Sequence, residues 1–343
     1  PISTLFPYTT LFRSKMRKYN FKFSSSERNI DENSRLKLFL RIFKKNIPFV
    51  GLFALIIFMS SLSSVFLTSN NILNILRQAS INGVVAFGMM TVILSAGIDL
   101  SVGSTLAMSS MIMAIMITSG YNQVVAIVAA LLVGLLIGLL NGLLISKGKL
   151  QPMIATLSTM MIFRGVTLFI SNGVPVSRLG DGLIGWLGRG NILGVPTPVY
   201  ILILVTTIAS IVLNFTTFGK RVYAIGGNSK AARLSGIKVE NMLIYVYMLA
   251  GVLSALAGII LTSRIDSAVP TAGQSFELNA IAAVVIGGAS LQGGRGKAFG
   301  TFFGILIIAV IANGLNIIGT SAYLQQIMTG VIIVSAVIFD RRK

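Results

Sequence analysis

The stretch "GLLIGLLNG", Gly134 to Gly142, lies within an apolar run that covers about residues 122–146. A helix needs about 20 apolar residues to cross the hydrocarbon core of a bilayer, and this run is long enough. Its glycines recur every fourth residue, which places them on one helix face and lets another backbone approach closely. The stretch therefore predicts a membrane-spanning helix that packs tightly against a neighbour.

The composition of the whole chain agrees with this interpretation. Of the 343 residues, 54% are hydrophobic and 11% are charged, and the mean hydropathy is +0.87. A soluble fold could not bury so large an apolar fraction, so we predict an all-α integral membrane protein. The chain has no Cys and no His. This excludes disulfides, thiolate nucleophiles, imidazole bases and the usual zinc sites, and we expect no metal, no cofactor and no enzymatic activity.

Apolar runs of similar length predict a polytopic helical bundle. A shorter run near 278–292 is either a further span or a broken or re-entrant segment, which a membrane protein tolerates where protein surrounds it. Counting this run gives about ten spans, with both termini on the same side. The other runs lie near residues 47–67, 72–94, 102–119, 122–146, 152–170, 198–216, 243–262, 298–318 and 322–340.

Basic residues are distributed unevenly between the two sides of this topology. In a chain of net charge +19, 23 of the 28 Lys and Arg residues fall on the side of the termini and five on the other. Basic loops face the cytoplasm, so both termini and the loop at 217–241 are predicted to be cytoplasmic. The charge therefore does not indicate nucleic acid, and residues 16–46 are interpreted as a basic arm near anionic lipid.

The first residues do not fit this pattern. Thr4 to Ser14 reads TLFPYTTLFRS, which matches one reading frame of a common short-read sequencing adapter. We therefore expect residues 1–15 to be a sequencing-adapter scar and Met16 to be the start, with the transmembrane domain at 47–343.

The 217–241 loop, "TFGKRVYAIGGNSKAARLSGIKVEN", holds five basic residues and one acid. The glycines before Asn228 predict a turn, and Asn228 or Ser229 can cap a helix of about two turns that Gly236 ends. Because so short a helix is marginal alone in water, it needs something to dock against. The loop is either a basic loop without a partner or a coupling helix that fits a groove on another protein.

Polar residues beside the apolar runs allow two interpretations. Asn141, Asn313 and Asn316 can form hydrogen bonds between helices or line a pathway, and we favour the hydrogen bonds. Asp99, in "GIDLSVGS", can cap the helix that follows or hold a cation or proton, and we favour the cap. The glycine-rich "GGASLQGGRGK" does not match a phosphate-binding loop, because Ala298 follows its final Lys. It predicts a tight turn between spans and no nucleotide site.

Several long stretches resemble the permease subunits of ribose-type monosaccharide ABC importers. They include "ILSAGIDLSVGS", "LQPMIATLSTMMIFRGV", "AIGGNSKAARLSGIKV" and "NGLNIIGTSAYLQQIMTGVII", and the resemblance covers roughly residues 47–343. It implies a multi-pass protein of the bacterial cell membrane that pairs with a second permease subunit, two cytoplasmic ATPase subunits and an extracytoplasmic sugar-binding protein. The substrate it implies is a monosaccharide, with ribose as the first expectation.

The same resemblance implies roles for particular residues. It places "GGNSKAARLSGI" where the permease couples to the ATPase, and it places the sugar pathway around 82–99 and 277–290. The expected coupling residues are Gly226, Gly227, Asn228, Lys230, Ala231, Arg233, Leu234, Ser235 and Gly236, and the expected pathway-lining residues are Asn82, Asp99, Glu277 and Asn279.

An ion-coupled secondary carrier or channel that works without an ATPase is the alternative. Such a protein needs acidic residues at mid-membrane. The nine acids of this chain lie almost wholly in the predicted loops or at the ends of the spans. The importer subunit is therefore favoured.

Overall fold

The structure is a computed structural model that describes residues 47–340. The expected scar at 1–15 and the basic arm at 16–46 lie outside the described residues. Within the described part the chain is helical for most of its length. The helices are α1 (Ile47–Leu62), α2 (Ser69–Leu94), α3 (Val102–Thr118), α4 (Gln123–Ser146), α5 (Pro152–Ile170), α6 (Leu183–Arg189), α7 (Thr197–Phe215), α8 (Thr217–Gly227), α9 (Ser229–Leu234), α10 (Val239–Ile265), α11 (Phe276–Ile286), α12 (Ala298–Ile317) and α13 (Ala322–Asp340).

Two short ribbons accompany the helices in residues 47–340. β1 (Val176–Ser177) pairs antiparallel with β4 (Ser267–Ala268), and β2 (Asn191–Ile192) pairs antiparallel with β3 (Val195–Pro196). The first ribbon ties the long segment between α5 and α7 to the end of α10. This segment is therefore folded against the bundle.

The helices agree with the apolar runs of the sequence. A helix occurs at each of the ten runs, and six of the helices (α2, α4, α5, α7, α10 and α12) are long and apolar enough to cross a membrane. The run near 278–292 forms only the 11 residues of α11. This helix is about 16 Å long, roughly half the thickness of the hydrocarbon core. The all-α membrane class is confirmed, while the count of ten spans and the side of the termini stay predictions.

Helix α2 lies at the centre of the bundle. It packs against α7, α10, α11 and α12, and its residues from Gly83 to Leu94 are all buried. Helices α4 and α5, in contrast, leave most of their apolar side chains exposed. Such exposed surface suits contact with lipid tails, which are as apolar as Leu. The bundle is thus built around α2, with α4 and α5 towards the lipid.

The glycines of α4 pack directly against α10, as their spacing predicts. A Cβ on Gly138 would lie 2.3 Å from the carbonyl oxygen of Tyr247, and a Cβ on Gly134 would lie 2.4 Å from that of Gly251. Only glycine fits at such separations. The α4–α10 pair is the most extensive helix–helix contact in the described chain, and it depends on these two close approaches.

Replacing Gly138 with Ala should therefore destabilise the protein. The added methyl group must push α4 away from α10, at an expected cost of about 1–3 kcal/mol in the free energy of unfolding. Gly165 of α5 is the matched control, since a Cβ there meets nothing within 4 Å. Gly165→Ala should be neutral, or stabilising by up to ~1 kcal/mol through helix propensity. Thermal unfolding in detergent compares the two, and equal midpoints would contradict the packing argument.

Candidate functional site

Helix α9 is the short helix that the sequence predicts in the 217–241 loop. The side chain of Asn228 accepts a hydrogen bond of 3.0 Å from the backbone N–H of Ala231, so Asn228 is the N-cap. At the other end Gly236 has φ +82°. Its N–H donates to the Arg233 carbonyl, and the N–H of Ile237 donates to the Ala232 carbonyl. This pair of bonds is a Schellman motif. Backbone groups at both ends of α9 therefore find hydrogen-bond partners within this chain.

One part of α9 packs against the rest of the chain, and another part is exposed to solvent. Ala232 is buried against the rest of the chain, whereas the side chain of Leu234 is 91% exposed. Arg233 forms an ion pair with Glu240 at the start of α10. The pair is solvent-exposed and contributes little to stability. The helix therefore presents an exposed apolar side chain in a basic loop.

Helix α8 connects this surface to the bundle. Near its end, a Cβ on Gly226 would lie 1.9 Å from the Leu94 carbonyl oxygen and 2.5 Å from the Gly294 nitrogen. These two backbone groups hydrogen-bond to each other at 3.0 Å. The end of α2 and the glycine-rich loop between α11 and α12 thus meet directly at α8. Gly294 has φ +69°, a conformation that favours glycine.

A tyrosine makes a second contact between the same elements. The hydroxyl of Tyr223 donates a hydrogen bond of 2.8 Å to the carbonyl oxygen of Gly296. Burial raises the pKa of the Tyr223 phenol above its usual range, so the hydroxyl remains a donor at neutral pH. The glycine-rich loop is therefore held to α8 at two points, in agreement with the predicted tight turn.

Asp99 belongs to a buried polar network. Its Oδ1 accepts hydrogen bonds from the backbone N–H of Ser101, at 2.8 Å, and from the Ser101 hydroxyl, at 2.6 Å. Asn141 of α4 donates to that hydroxyl at 2.8 Å and accepts from the Thr159 hydroxyl of α5 at 2.7 Å. The favoured cap is not seen: the N-cap of α3 is Ser101, no side chain caps it, and Asp99 binds the N–H of Ser101 itself and none in the first turn. The bonds of Asn141 confirm hydrogen bonding between helices.

The other acidic candidate lies where the chain breaks between α10 and α11. The guanidinium of Arg164, in α5, donates at 2.7 Å to each of the Pro270 and Ala272 carbonyl oxygens. The side chain of Glu277 follows at the start of α11, and its Oε2 would be 2.9 Å from a Cβ on Gly103. The loop before α11 therefore reaches in between α3 and α5, and Glu277 lies beside the start of α3.

The remaining pathway candidates, Asn82 and Asn279, lie on α2 and α11. Asn82 lies half-buried in the middle of α2, and Asn279 lies half-buried one turn into α11. These two helices pack against each other. Glu277 and Asn279 therefore share α11, Asn82 lies on α2, and Asp99 is enclosed by its network just before α3.

Sequence reasoning missed a row of amides on α2. Asn71, Asn74, Gln78 and Asn82 are spaced three or four residues apart, so at 100° per residue they fall within an arc of about 80°. Asn71 forms a reciprocal amide pair with Asn313 of α12, with bonds of 3.0 and 2.8 Å. The three-and-four spacing was the signal that could have revealed this polar face.

A bundle of apolar helices that contains a broken segment and buried amides has the architecture of a membrane transport protein. Comparison with known sequences agrees. The profile of the family described as "Branched-chain amino acid transport system / permease component" matches residues 71–337. No solved structure matches the chain.

Individual relatives cover nearly the same part of the chain. The ribose import permease of Bacillus subtilis (strain 168) is 55% identical over 86% of this chain and 92% of its own length. The ribose import permease of Escherichia coli (strain K12) is 48% identical with the same coverage. The L-arabinose transport system permease of Escherichia coli (strain K12) is 40% identical over 81% of this chain and 84% of its own length.

The chain belongs to this permease family. It is an inner-membrane transport subunit of an ABC sugar importer and not an enzyme. Its partners include a separate ATPase subunit and a binding protein.

The contact of Gly226 with the end of α2 gives a stability prediction. Gly226→Ala should separate α8 from the bond between Leu94 and Gly294, because the added carbon meets backbone atoms that cannot rotate away. The expected result is faster trypsin cleavage at the basic residues of the 217–241 loop. The neighbouring Gly227 is the control, since a Cβ there meets nothing within 4 Å. Cleavage of Gly227→Ala should proceed at the wild-type rate, and equal rates for the two variants would refute the contact's importance.

Proposed function

We propose that the chain is the permease of a ribose importer. The two relatives named as ribose import permeases are 55% and 48% identical to it, each over 86% of the chain. The relative named for L-arabinose is more distant, at 40%. Ribose is therefore the substrate that the comparisons favour among small sugars.

The proposed importer contains two copies of this chain, two ATPase subunits and an extracytoplasmic ribose-binding protein. Most soluble oligomers are symmetric, and a two-fold pair is the simplest arrangement. Each permease carries one α9 helix, so a pair presents two such helices to two ATPase subunits. ATP is then hydrolysed outside this chain, and the permease pair forms the sugar pathway.

The single observation that carries the proposal is the surface of α9. A helix of six residues is not stable alone, yet α9 is capped at both ends and leaves Leu234 91% exposed. Such a side chain gains free energy by entering an apolar groove, roughly 1.5–3 kcal/mol for a fully buried Leu. We assign ATPase coupling to Gly226, Gly227, Asn228, Lys230, Ala231, Arg233, Leu234, Ser235 and Gly236.

The proposed orientation puts α9 and both termini in the cytoplasm, with ten membrane segments of which α11 is the broken one. The sign of the loop charges supports this orientation. The short length of α11 and the loop that Arg164 holds in front of it support the broken segment. Asn82, Glu277 and Asn279 remain proposed pathway residues, and Asp99 is proposed to orient the start of α3 beside them.

The ion-coupled carrier is not favoured. The Asp99 carboxylate is enclosed by the hydrogen bonds of its network. A carrier site must bind and release its ion in each cycle, so it needs an acid that solvent can reach in turn from both sides. Asp99 is 2% exposed.

Reconstitution tests the proposed function directly. Proteoliposomes that contain the permease with its ATPase subunits should accumulate radiolabelled ribose only when ATP and the ribose-binding protein are both supplied. Omission of either component should reduce uptake to background. Uptake of ribose by the permease alone, or dependence on an ion gradient, would contradict the proposal.

Leu234→Asp tests the coupling surface. A charge at the centre of an apolar groove must be desolvated, so we expect the ATPase subunit to bind at least about tenfold more weakly. The fold should be preserved, because Leu234 is almost fully exposed. Leu193→Asp is the matched control, since Leu193 is 95% exposed in the turn between β2 and β3. Co-purification of the ATPase measures both variants, and retention by Leu234→Asp would remove α9 from the interface.

A further inference from the structure

A polar cavity of about 310 Å³ lies beside the row of amides on α2. This volume is at the lower end of the ~300–1,000 Å³ that small-molecule sites occupy. Its lining consists of Ile317 and six polar residues, none of them acidic. The polar residues are Asn71, Asn74, Gln78, Asn313, Asn316 and Arg264.

The amides of this cavity differ in how far they are satisfied. The side chains of Asn71 and Asn313 hydrogen-bond to each other, so each amide already has a partner. Asn74 is exposed and accepts a bond of 3.2 Å from the guanidinium of Arg77. Gln78 is half-buried and Asn316 is exposed, and neither side chain has a hydrogen-bond partner among residues 47–340. They are therefore available, as donors and acceptors, to a bound molecule.

The cavity lies at the far end of the helices from the coupling surface. Helix α2 starts at the cavity and ends at Leu94, where α8 contacts it. Helix α10 starts just after α9, and Arg264 of the cavity lies in its last turn. Helix α12 starts just after the glycine-rich loop and ends at the cavity. Along the 26-residue helix α2, Asn71 of the cavity and Leu94 lie about 35 Å apart. In the proposed orientation the cavity therefore opens towards the extracytoplasmic side.

We propose that this cavity is the first binding site of the sugar in the permease, and that the amide row of α2 continues it inwards to Asn82. The inference rests on the proposed function. Amide groups offer both donors and acceptors to neighbouring hydroxyls, and Arg264 adds a planar donor. A neutral molecule with many hydroxyls matches this lining, and about 16 Å of helix lies between Asn71 and Asn82.

The other candidate occupant is an acidic segment of the binding protein, which Arg264 and Arg77 could attract. The lining contains five neutral amide side chains and only one guanidinium, and this composition favours a neutral ligand. A carboxylate only accepts hydrogen bonds, so it would leave the acceptor oxygens of the amides unused, whereas hydroxyl groups can use both the donors and the acceptors. The two occupants predict different effects of the same substitutions, so one set of variants separates them.

The experiment compares wild type with the double variant Asn74→Leu/Gln78→Leu and with Asn316→Leu, on another helix. Asn70→Leu is the matched control, because Asn70 is an exposed residue of α2 that does not line the cavity. The initial rate of ribose uptake is measured in proteoliposomes that hold the complete importer, with saturating binding protein. The affinity of the ribose-loaded binding protein for each permease is measured in parallel.

We expect the uptake rate of both cavity variants to fall at least about tenfold, as the loss of hydrogen bonds to the sugar requires. Asn70→Leu should stay within about twofold of wild type, and the affinity for the binding protein should be unchanged in all four proteins. Wild-type uptake by both cavity variants would overturn the inference and leave the proposed function in place. Weakened docking in these variants and in Arg77→Glu would assign the cavity to an acidic segment and also overturn it.

A second readout separates the cavity from the choice of ribose. Saturation-transfer NMR on the purified permease measures contact with a set of neutral pentoses and hexoses. If wild type imports no ribose, the proposed function fails, yet a monosaccharide signal that disappears in Asn74→Leu/Gln78→Leu still supports the cavity. No difference in signal between this variant and Asn70→Leu, for any sugar of the set, refutes the cavity.

Discussion

The hydrogen bond from the Gly294 N–H to the Leu94 carbonyl oxygen, 3.0 Å long, joins three parts of the chain at one point. Leu94 ends the central helix α2, Gly294 belongs to the loop that begins α12, and Gly226 of α8 packs against both atoms. A side chain at either glycine would separate these elements. The basic loop is therefore joined to the bundle by backbone contacts, which suits the coupling role proposed for it.

The buried amides show how the membrane constrains polar residues. A polar group in the hydrocarbon core that lacks a partner costs several kcal/mol, so it must find one within the protein. Asn141 does so with Ser101 and Thr159, and Asn71 does so with Asn313. Gln78, which is half-buried, and Asn316, which is exposed, line the cavity, where water or a hydrated ligand can reach them.

The sequence predicted the elements that depend on local composition. Ten apolar runs became helices because each sums the hydropathy of many residues, and α9 could be predicted because Asn228 and Gly236 mark its ends. Helix α8 and the contact of Gly226 could not be predicted in this way. They depend on neighbours distant in the chain, Leu94 and Gly294, which no local pattern reveals. The cavity was missed for the same reason, since it forms only where residues of α12 lie beside the amides of α2.

The surface of α9 and the cavity lie at opposite ends of the same helices. Helix α10 has 27 residues, and about 36 Å of it lies between the Glu240 that pairs with Arg233 and the Arg264 that lines the cavity. Its glycine contacts with α4 leave no space for compression, because the backbones already touch. Packed helices move as rigid bodies or slide by small steps, and they do not deform continuously. In the proposed coupling, a displacement of α9 therefore reaches the cavity as a movement of whole helices, with α2, α10 and α12 changing its shape together.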